Sequence, residues 1–310
     1  MTSEKTNRIL VIGSTNVDFL IRTQKLPSFG ETVTDGMFMQ NYGGKGANQA
    51  VGAARAGGKV TFISCLGNDL YAEELLRNFG MDSINTDHIF RDPDKATGAA
   101  LIMLDEKGNN YLSVAPGSNY SLRPSHIDEI SDVLNECEYI VLQLEIPLDT
   151  TYHIFEHAKR ADKKVIFNLA PAKEINFEVL KHTYAFIVNE VEASMASGVQ
   201  TDSREKIEEA ANLLLQKGPE IVLITLGSKG VYLASSSQRE FIPAYLVNPI
   251  DTTGAGDIFC GSFAVAMAEG KSAVESVKFA CAASAISVTR MGAQPSAPTR
   301  KEIEDFQNSK

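Results

Sequence analysis

Residues 251–257 read Asp-Thr-Thr-Gly-Ala-Gly-Asp and directly precede a predicted helix. Backbone N–H groups at the start of a helix lie at the positive end of its dipole, where they bind phosphate oxygens. The amides of Gly254, Ala255 and Gly256 could hold a transferring phosphoryl group while Asp257 accepts the proton of an acceptor hydroxyl. The structural alternative is that Asp257 caps the helix and the glycines form a tight turn.

Residues 43–48 read Gly-Gly-Lys-Gly-Ala-Asn and could bind a compact polar ligand. Gly44 and Gly46 allow the backbone to approach such a ligand closely. Lys45 and Asn48 supply directional donors, which a sugar with several hydroxyls requires. The segment is not a Walker A loop, because the GxxxxGK(S/T) spacing is absent. A flexible hinge is the competing interpretation.

Three more polar residues follow predicted strands. Asn16 and Asp18 come after the first strand at positions i and i+2, point the same way and could bind vicinal hydroxyls. A turn is the alternative, since Asn and Asp favour turns. Glu145 closes an apolar run at the carboxyl end of a strand, where open α/β sheets bind ligands. The alternative for Glu145 is an exposed loop acid.

Two loops at strand ends could serve a nucleotide. Asn189 and Glu192 follow the apolar run 185–188 and could place waters around Mg²⁺, which usually keeps several of them. The next loop could bind a nucleotide through its backbone, with a plain glycine turn as the alternative. Because both loops lie at carboxyl ends of strands, we expect them to converge on one crevice. The second loop comprises Thr225, Leu226, Gly227, Ser228, Lys229 and Gly230.

Short apolar, β-branched runs alternate with helical patterns along most of the chain. Strands that are apolar on both faces and alternate with helices indicate a mostly parallel sheet covered on both sides. The predicted fold class is therefore α/β. The strands are predicted at 9–13, 60–66, 139–144, 164–169, 185–188 and 221–226, and the helices at 46–56, 70–79, 150–161, 204–216, 255–269 and 273–289.

Two segments break this alternation. Residues 18–42 have the pattern of strands joined by turns, and residues 97–114 that of a hairpin turning near 106–109. They could pair into a small sheet that forms a lid, or they could be edge strands of the main sheet. We predict a core of residues 1–15, 43–96 and 115–310, with a β lid of residues 16–42 and 97–114.

Composition limits the function further. A chain of 310 residues with 44% hydrophobic residues can bury a large core. The net charge of −10 and the absence of a basic block argue against nucleic-acid and anionic-membrane partners and favour a small molecule. The four scattered cysteines, without a CxxC motif or clustered histidines, predict neither a disulfide framework nor a structural zinc site. With no predicted signal or membrane segment, we expect a cytoplasmic protein.

Taken in order, these motifs closely resemble the carbohydrate kinase family that contains ribokinase, fructokinase and adenosine kinase. The resemblance runs nearly end to end. GGKGANQA (43–50) and VTRMGAQPS (288–296) favour a ribokinase, which transfers the γ-phosphoryl of ATP to O5 of D-ribose. A kinase for another sugar, such as deoxyribose or fructose, is the alternative. The other matching motifs are GSTNVD (13–18), NEVE (189–192), TLGSKG (225–230) and DTTGAGD (251–257).

The resemblance implies a ribokinase-like three-layer α/β/α fold with a mostly parallel sheet and a small β-sheet lid that pairs two subunits into a homodimer. It implies that Asp257 is the base on O5, and that the amides of Gly254, Ala255 and Gly256 form the anion hole. The residues implied to contact ribose are Asn16, Asp18, Gly44, Lys45, Gly46, Asn48 and Glu145.

The resemblance also implies ATP, Mg²⁺ and a monovalent cation, usually K⁺. Cys281 occupies a position near the adenine where the family usually has Asn or His. Glu192 would help to organise Mg²⁺. Besides Cys281 and Gly256, the implied ATP site consists of Asn189 and residues 225–230. The implied K⁺ site comprises Asp251, Thr253, Ser287, Arg290, Gly292 and Ser296, several through backbone carbonyls.

Overall fold

The computed structural model describes residues 8–309, so residues 1–7 and 310 of the predicted core lie outside the described part. Two sheets and their flanking helices carry the residues of the predicted site. The strands are β1 (Arg8–Ile12), β2 (Asn16–Thr23), β3 (Met37–Gly43), β4 (Lys59–Ile63), β5 (Cys65–Gly67), β6 (Phe90–Asp92), β7 (Gly98–Asp105), β8 (Asn110–Ala115), β9 (Tyr139–Leu142), β10 (Lys164–Asn168), β11 (Ala185–Asn189), β12 (Ile221–Thr225), β13 (Val231–Ser235) and β14 (Arg239–Ile242).

The helices cover both faces of the larger sheet. Short 3₁₀ helices lie at Gly117–Ser121, Phe177–His182, Gly227–Lys229 and Gln294–Ser296. The α-helices are α1 (Lys45–Arg55), α2 (Leu70–Met81), α3 (Pro124–Glu129), α4 (Ser131–Glu136), α5 (Leu148–Arg160), α6 (Glu190–Ser197), α7 (Arg204–Gln216), α8 (Ala255–Ala268), α9 (Ala273–Ser287) and α10 (Arg300–Asn308).

The larger sheet has eight strands in the order β14-β13-β12-β11-β10-β9-β1-β4. The six strands from β12 to β4 pair in parallel, whereas β13 and β14 add an antiparallel edge. Alternate residues of β1 enter different cores: Ile9 and Val11 pack with α1, α2, α8 and α9, and Leu10 and Ile12 pack with the helices between α3 and α7. The predicted three-layer α/β fold is confirmed.

The two β insertions form a separate four-stranded sheet in the order β3-β2-β7-β8. β2 pairs with β7 in parallel, with Asn16 opposite Gly98, although the two strands come from distant parts of the chain. The alternative that these segments are edge strands of the main sheet is therefore wrong. The hairpin between β7 and β8 turns where the pattern predicted it. The Asp105 carboxylate stabilises this turn by accepting hydrogen bonds from the backbone N–H groups of Lys107 and Asn109. The assignment of this sheet as a lid remains a prediction.

Several elements differ from the predicted ones. The run 60–66 does not form one strand: β4 lies in the larger sheet, while β5 pairs with β6 in a two-stranded ladder. β13 and β14 were not predicted, because they follow β12 through a hairpin instead of the strand–helix alternation. None of the helices within residues 8–309 is long and apolar enough to cross a lipid bilayer.

Candidate active site

Asp257 lies in the first turn of α8 and is almost completely buried, with 6% of its surface exposed. Its Oδ2 accepts a hydrogen bond from Asn48 Nδ2 at 3.0 Å, and its Oδ1 accepts one from Gln49 Nε2 at 3.1 Å. The side chain makes no capping bond to its own helix. The alternative that Asp257 only caps the helix is therefore wrong, because its carboxylate faces α1.

Burial raises the pKa of Asp257, because a charged carboxylate loses its hydration there; the Lys45 ammonium and the two amide donors oppose this effect. The pKa of the Lys45 ammonium is also raised: the charge of Asp257 raises it, against the effect of burial. A carboxylate with a raised pKa is a better general base than an ordinary aspartate. The pair therefore has the electrostatics of a site for proton transfer.

Small residues bring α1 and α8 close enough for these contacts. A Cβ atom on Gly261 would lie 2.4 Å from the backbone oxygen of Gln49, and one on Gly52 would lie 3.1 Å from the Ile258 side chain. Since a contact under about 3 Å forces the backbone apart, a larger residue at Gly261 would separate the helices, and one at Gly52 would require the Ile258 side chain to shift. Glycine at the contact thus allows Asn48 and Gln49 to reach Asp257.

A chain of buried amides supports this contact. Gln143 Nε2 donates to Gln49 Oε1 at 2.7 Å, and Gln49 Nε2 also lies 3.3 Å from Asn168 Oδ1. The predicted site did not include these residues. Gln49 belongs to the GGKGANQA motif, and Gln143 follows a strand that is otherwise apolar. A buried amide in such a position is the signal that could have identified Gln143.

The start of α8 has the form of an anion cradle. Gly254 adopts a left-handed conformation with φ of 72°, and a Cβ atom there would lie 2.7 Å from Ala293 Cβ. Gly254 is the N-cap of α8 and makes no side-chain capping bond. The Ala255 N–H donates to Thr252 O at 3.2 Å, whereas the next first-turn amides, including Gly256, have no partner within a helix. The first-turn amides of Gly256 and Asp257 are therefore candidate donors of this cradle.

Glu145 lies at the amino end of α1. Its Oε2 accepts hydrogen bonds from the Lys45 N–H at 3.0 Å and from Ser14 Oγ at 2.5 Å. The alternative of an exposed loop acid is wrong, because the carboxylate is half-buried and satisfies the helix start. Ser14 was not among the predicted residues. The hinge interpretation of residues 43–48 also fails, since Lys45 and Gly46 open the first turn of α1 and Gly44 is its N-cap.

Asn16 begins β2, and Asn119 fixes its amide. Asn119 Oδ1 accepts the Thr15 N–H at 2.8 Å, and Asn119 Nδ2 donates to Asn16 Oδ1, also at 2.8 Å. The Asn16 oxygen is thereby occupied, so its NH₂ group remains available as a donor. Sequence reasoning missed Asn119, which lies 103 residues from Asn16.

Asp18 shares a negative electrostatic environment with two other acids. Burial raises its pKa to about 6, and the charges of Glu145 and Asp257 add to the effect. The Gly43 backbone passes close to this carboxylate, since a Cβ atom there would lie 2.1 Å from Asp18 Oδ2, and a Cβ atom on Gly44 would lie 2.7 Å from the backbone nitrogen of Asn16. The structure thus gathers the predicted sugar residues around one region at the end of β1 and the start of α1.

A cleft of about 290 Å³ lies between the loop after β12 and the start of α8. Thr225, Gly227, Ser228 and Gly230 line it together with Ala255, Gly256 and Cys281. The other predicted loop residues do not line it: Leu226 is buried, and Lys229 forms an ion pair with Glu190. The sequence did not predict the apolar side of the cleft, which consists of Ala244, Tyr245, Leu246, Val247, Pro249, Phe259, Ala285 and Val288.

Asn189 and Glu192 form a capping box at the start of α6. Asn189 Oδ1 accepts the Glu192 N–H at 2.8 Å, and Glu192 Oε2 accepts the Asn189 N–H at 2.8 Å. Neither residue lines the cleft, although Asn189 pairs with Thr225 across the neighbouring strands. Burial raises the pKa of Glu192 and the charge of Asp257 adds to this effect, whereas the Asn189 N–H and the Lys45 ammonium oppose it.

Asp251 joins the two segments of the predicted K⁺ site. Its Oδ1 accepts the Thr253 N–H at 2.9 Å, and its Oδ2 accepts the Gly292 N–H at 2.8 Å. Although burial acts in the other direction, the hydrogen bonds from Thr253 and Gly292 lower the pKa of Asp251. The other predicted side chains have local partners: Ser287 Oγ donates to Ser284 O, Ser296 Oγ to Ala293 O, and the Arg290 guanidinium to Glu302.

This geometry agrees with the comparisons to known proteins. The model of the pfkB family of carbohydrate kinases matches residues 6–300, and the chain therefore belongs to this family. Within it, the chain is similar to ribokinases. It is 38% identical to a ribokinase of Haemophilus influenzae over 96% of this chain and 97% of the relative.

Two further relatives bear on the substrate. A deoxyribokinase of Salmonella typhi is 36% identical, over 96% of this chain and 98% of the relative. The solved structure of Arabidopsis thaliana ribokinase complexed with ribose and ATP superimposes with a TM-score of 0.91 at 31% identity, covering 96% of this chain and 97% of that chain. The class is that of an ATP-dependent sugar kinase, and its near relatives differ in the sugar.

Proposed function

We propose that this protein is a ribokinase, which transfers the γ-phosphoryl group of ATP to O5 of D-ribose and yields D-ribose 5-phosphate and ADP. The observation that carries the proposal is the buried Asp257 carboxylate, which faces Lys45 next to the uncapped start of α8. A base beside an anion cradle is the arrangement that phosphoryl transfer to a hydroxyl needs. The product would feed reactions that consume pentose phosphates.

Ribose would bind where β1, β2 and α1 meet. The free NH₂ group of Asn16 and the Asp18 carboxylate would bind vicinal hydroxyls, and Lys45, Asn48 and Glu145 would complete the contacts. Gly44 and Gly46 would allow the backbone to approach the sugar. Support comes from the convergence of these groups and from the side chains that hold them, Asn119 for Asn16 and Ser14 for Glu145.

Asp257 would take the proton of the O5 hydroxyl as the new P–O bond forms. Its raised pKa favours proton acceptance, and Asn48 and Gln49 hold the carboxylate in place. The amides after Gly254 would stabilise the negative charge on the phosphoryl oxygens. Closure of the β lid over the sugar would exclude water and so limit ATP hydrolysis.

ATP would occupy the cleft between the loop after β12 and α8. The residues around this cleft suit a nucleotide, because its apolar side can cover a base while the glycine backbone and the start of α8 approach the phosphates. Cys281 would lie near the adenine. Its buried thiol has a pKa raised to about 12, so it would present an uncharged surface to the base.

Mg²⁺ and K⁺ belong to the proposal as well. The capping box uses Glu192 Oε2 and leaves the other carboxylate oxygen for a water of a magnesium shell. When bound, Mg²⁺ neutralises charge on the ATP phosphates. For K⁺, the hydrogen bond from the Gly292 N–H to Asp251 joins the two predicted segments beside the start of α8, and their backbone carbonyls would supply the ligands. Oxygen groups of this kind suit a hard cation.

We also propose a homodimer formed through the β lid, in the cytoplasm. Large apolar side chains are exposed on the lid strands: Met37 at 66%, Phe38 at 59%, Leu101 at 61% and Leu112 at 61%. Exposed apolar patches of this kind mark interaction surfaces. The four cysteines are free and buried, as expected of a reducing compartment.

Deoxyribose is the second candidate substrate, because a deoxyribokinase is nearly as similar as the ribokinases. The structure favours ribose through Asn16, whose fixed NH₂ group would lose a partner on a deoxy sugar. The test is ADP release, measured by a coupled assay with ribose, 2-deoxyribose or fructose, with and without K⁺. We expect the highest kcat/KM for ribose, and activation by K⁺. A higher value for deoxyribose would favour the second candidate, and no sugar-dependent ADP would refute both.

A further inference from the structure

Three metal-ligating side chains converge outside the active site, where α3 packs against α5. His153 Nε2 and His157 Nε2 each lie 2.8 Å from the same oxygen of Asp128, Oδ1. One ligand atom from each of the three residues lies within 4.8 Å of the others. The two histidines are four positions apart on α5, so they share one face of the helix, and the aspartate comes from α3.

We propose that Asp128, His153 and His157 form a binding site for a transition-metal dication such as Zn²⁺. Two imidazoles and one carboxylate are a ligand set that Zn²⁺, Co²⁺ and Ni²⁺ accept, whereas Mg²⁺ and Ca²⁺ prefer oxygen ligands alone. The site therefore differs in chemistry from the one proposed for the magnesium of the kinase reaction. It would supply three protein ligands and leave a fourth position for water.

The two rings are already held in position. The side chains of His153 and His157 are 29% and 18% exposed, while that of Asp128 is 58% exposed. The rings meet edge to face with their centroids 4.7 Å apart. Both imidazole Nε2 atoms are therefore already directed at one point. A bound ion would have to immobilise only the exposed side chain of Asp128.

The distances require a small adjustment. Tetrahedral Zn²⁺ with bonds of about 2.0–2.2 Å keeps its ligand atoms about 3.3 Å from one another. The nitrogen–oxygen distances of 2.8 Å would have to open by about half an ångström to admit the ion. Because Asp128 is largely exposed and lies on a short helix, its side chain can make this movement while both rings stay in place.

The alternative is that the three side chains only share hydrogen bonds. Asp128 then acts as an acceptor for both rings, and no metal is needed. Sequence analysis predicted no zinc site because it found no clustered histidines, and it overlooked the four-residue spacing of His153 and His157. Asp128 precedes His153 by 25 residues, and only the fold brings it to them. Metal binding and hydrogen bonding predict different results in a titration.

The test uses the full chain without a histidine tag and without nucleotide. Isothermal titration with Zn²⁺ and the visible absorption of Co²⁺ would be measured for wild type, His153→Gln, His157→Gln and a matched control, His182→Gln. We expect one ion per chain in wild type and in the control. Loss of one ligand should weaken binding by about 100-fold or more, since loss of a mere outer-shell partner already weakens metal binding by about 10–100-fold.

The melting temperature gives an independent readout. Zn²⁺ should raise it in wild type and in the His182 control, but not in the two site variants, because a ligand stabilises only the state that binds it. All four proteins should retain the same sugar kinase activity with Mg²⁺. Equal Zn²⁺ affinity in all four proteins, or no binding by wild type at millimolar Zn²⁺, would overturn the proposal. The first result would assign the metal to other residues, and the second would leave only hydrogen bonds.

Discussion

Replacement of Asp257 by asparagine should remove the proposed base while leaving the fold and ATP binding intact. Both carboxylate oxygens now accept hydrogen bonds from side-chain amides, so the NH₂ group of the new side chain would face a donor. The Asn48 amide can turn to relieve this contact, because its own Oδ1 is buried and has no partner within residues 8–309. The variant should therefore fold.

The expected loss concerns the chemical step. A positioned general base contributes about 10²–10⁴-fold to a rate, which corresponds to about 3–5 kcal/mol in the barrier. In Asp257→Asn, kcat should fall by about 100-fold or more, while the KM for ATP changes little. A coupled ADP assay with ribose gives kcat and KM, and nucleotide titration together with the melting temperature verifies ATP binding and folding.

Of the acids near Asp257, Asp18 is assigned to the sugar hydroxyls, and Glu145 and Glu192 are poorly placed to replace Asp257 as the base because each is held by other groups. Glu145 accepts hydrogen bonds from Ser14 and from the Lys45 N–H, and Glu192 is held by its capping box. A kcat of Asp257→Asn within about fivefold of wild type, with normal folding and ATP binding, would therefore refute the assignment of Asp257.

Three more predictions follow from neighbouring residues. Asp18→Asn should stabilise the fold at pH 7 by at most about 3 kcal/mol, because a pKa of about 6 means that the folded state disfavours the charged carboxylate. The same substitution should weaken ribose binding. Below pH 4 the gain should vanish, since Asp18 is then protonated in the folded and unfolded states; it should grow between pH 4 and 6, as chemical denaturation at several pH values can show. Asn119→Asp keeps the acceptor for the Thr15 N–H but loses the donor to Asn16, so the KM for ribose should rise roughly 5- to 100-fold with little change in the KM for ATP. Asp251→Ala should release the Gly292 N–H and raise the K⁺ concentration for half-maximal activation by at least about tenfold, as K⁺ titration at constant ionic strength can measure.

Each of these predictions has an outcome that contradicts it. A constant stability difference between wild type and Asp18→Asn from pH 3 to 8 would mean that this carboxyl does not have a raised pKa. If Asn119→Asp raised the KM values for ribose and ATP equally, the residue would have a general structural role. Unchanged K⁺ activation in Asp251→Ala would place the cation elsewhere.

Much of the fold could be predicted because a continuous apolar run indicates a strand that is buried on both faces. The four buried residues Ile9–Ile12 show this pattern. The sequence does not record which strand is the neighbour. The run 60–66 is continuously suited to a strand, yet its second half leaves the sheet and pairs with β6. The antiparallel pair β13 and β14 was missed for a related reason, since nothing local distinguishes an edge hairpin from a strand before a helix.

The site could be predicted in part. Glycines before a helix, followed by an acid, have a local physical signature, and this signature led to Gly254, Gly256 and Asp257. Residues that act through contacts with distant parts of the chain have no such local signature. Asn119 is one of several polar residues in a 3₁₀ helix, and its role depends on a contact with Asn16 that only the tertiary structure creates.

The most direct test of the central claim is the position of the phosphate in the product. Incubation with D-ribose, ATP, Mg²⁺ and K⁺, followed by proton–phosphorus correlated NMR, should show the phosphorus coupled to the two protons on C5, in an amount equal to the ADP formed. Phosphorus coupled to a proton on another carbon, or ADP that appears without any sugar phosphate, would contradict the proposed reaction.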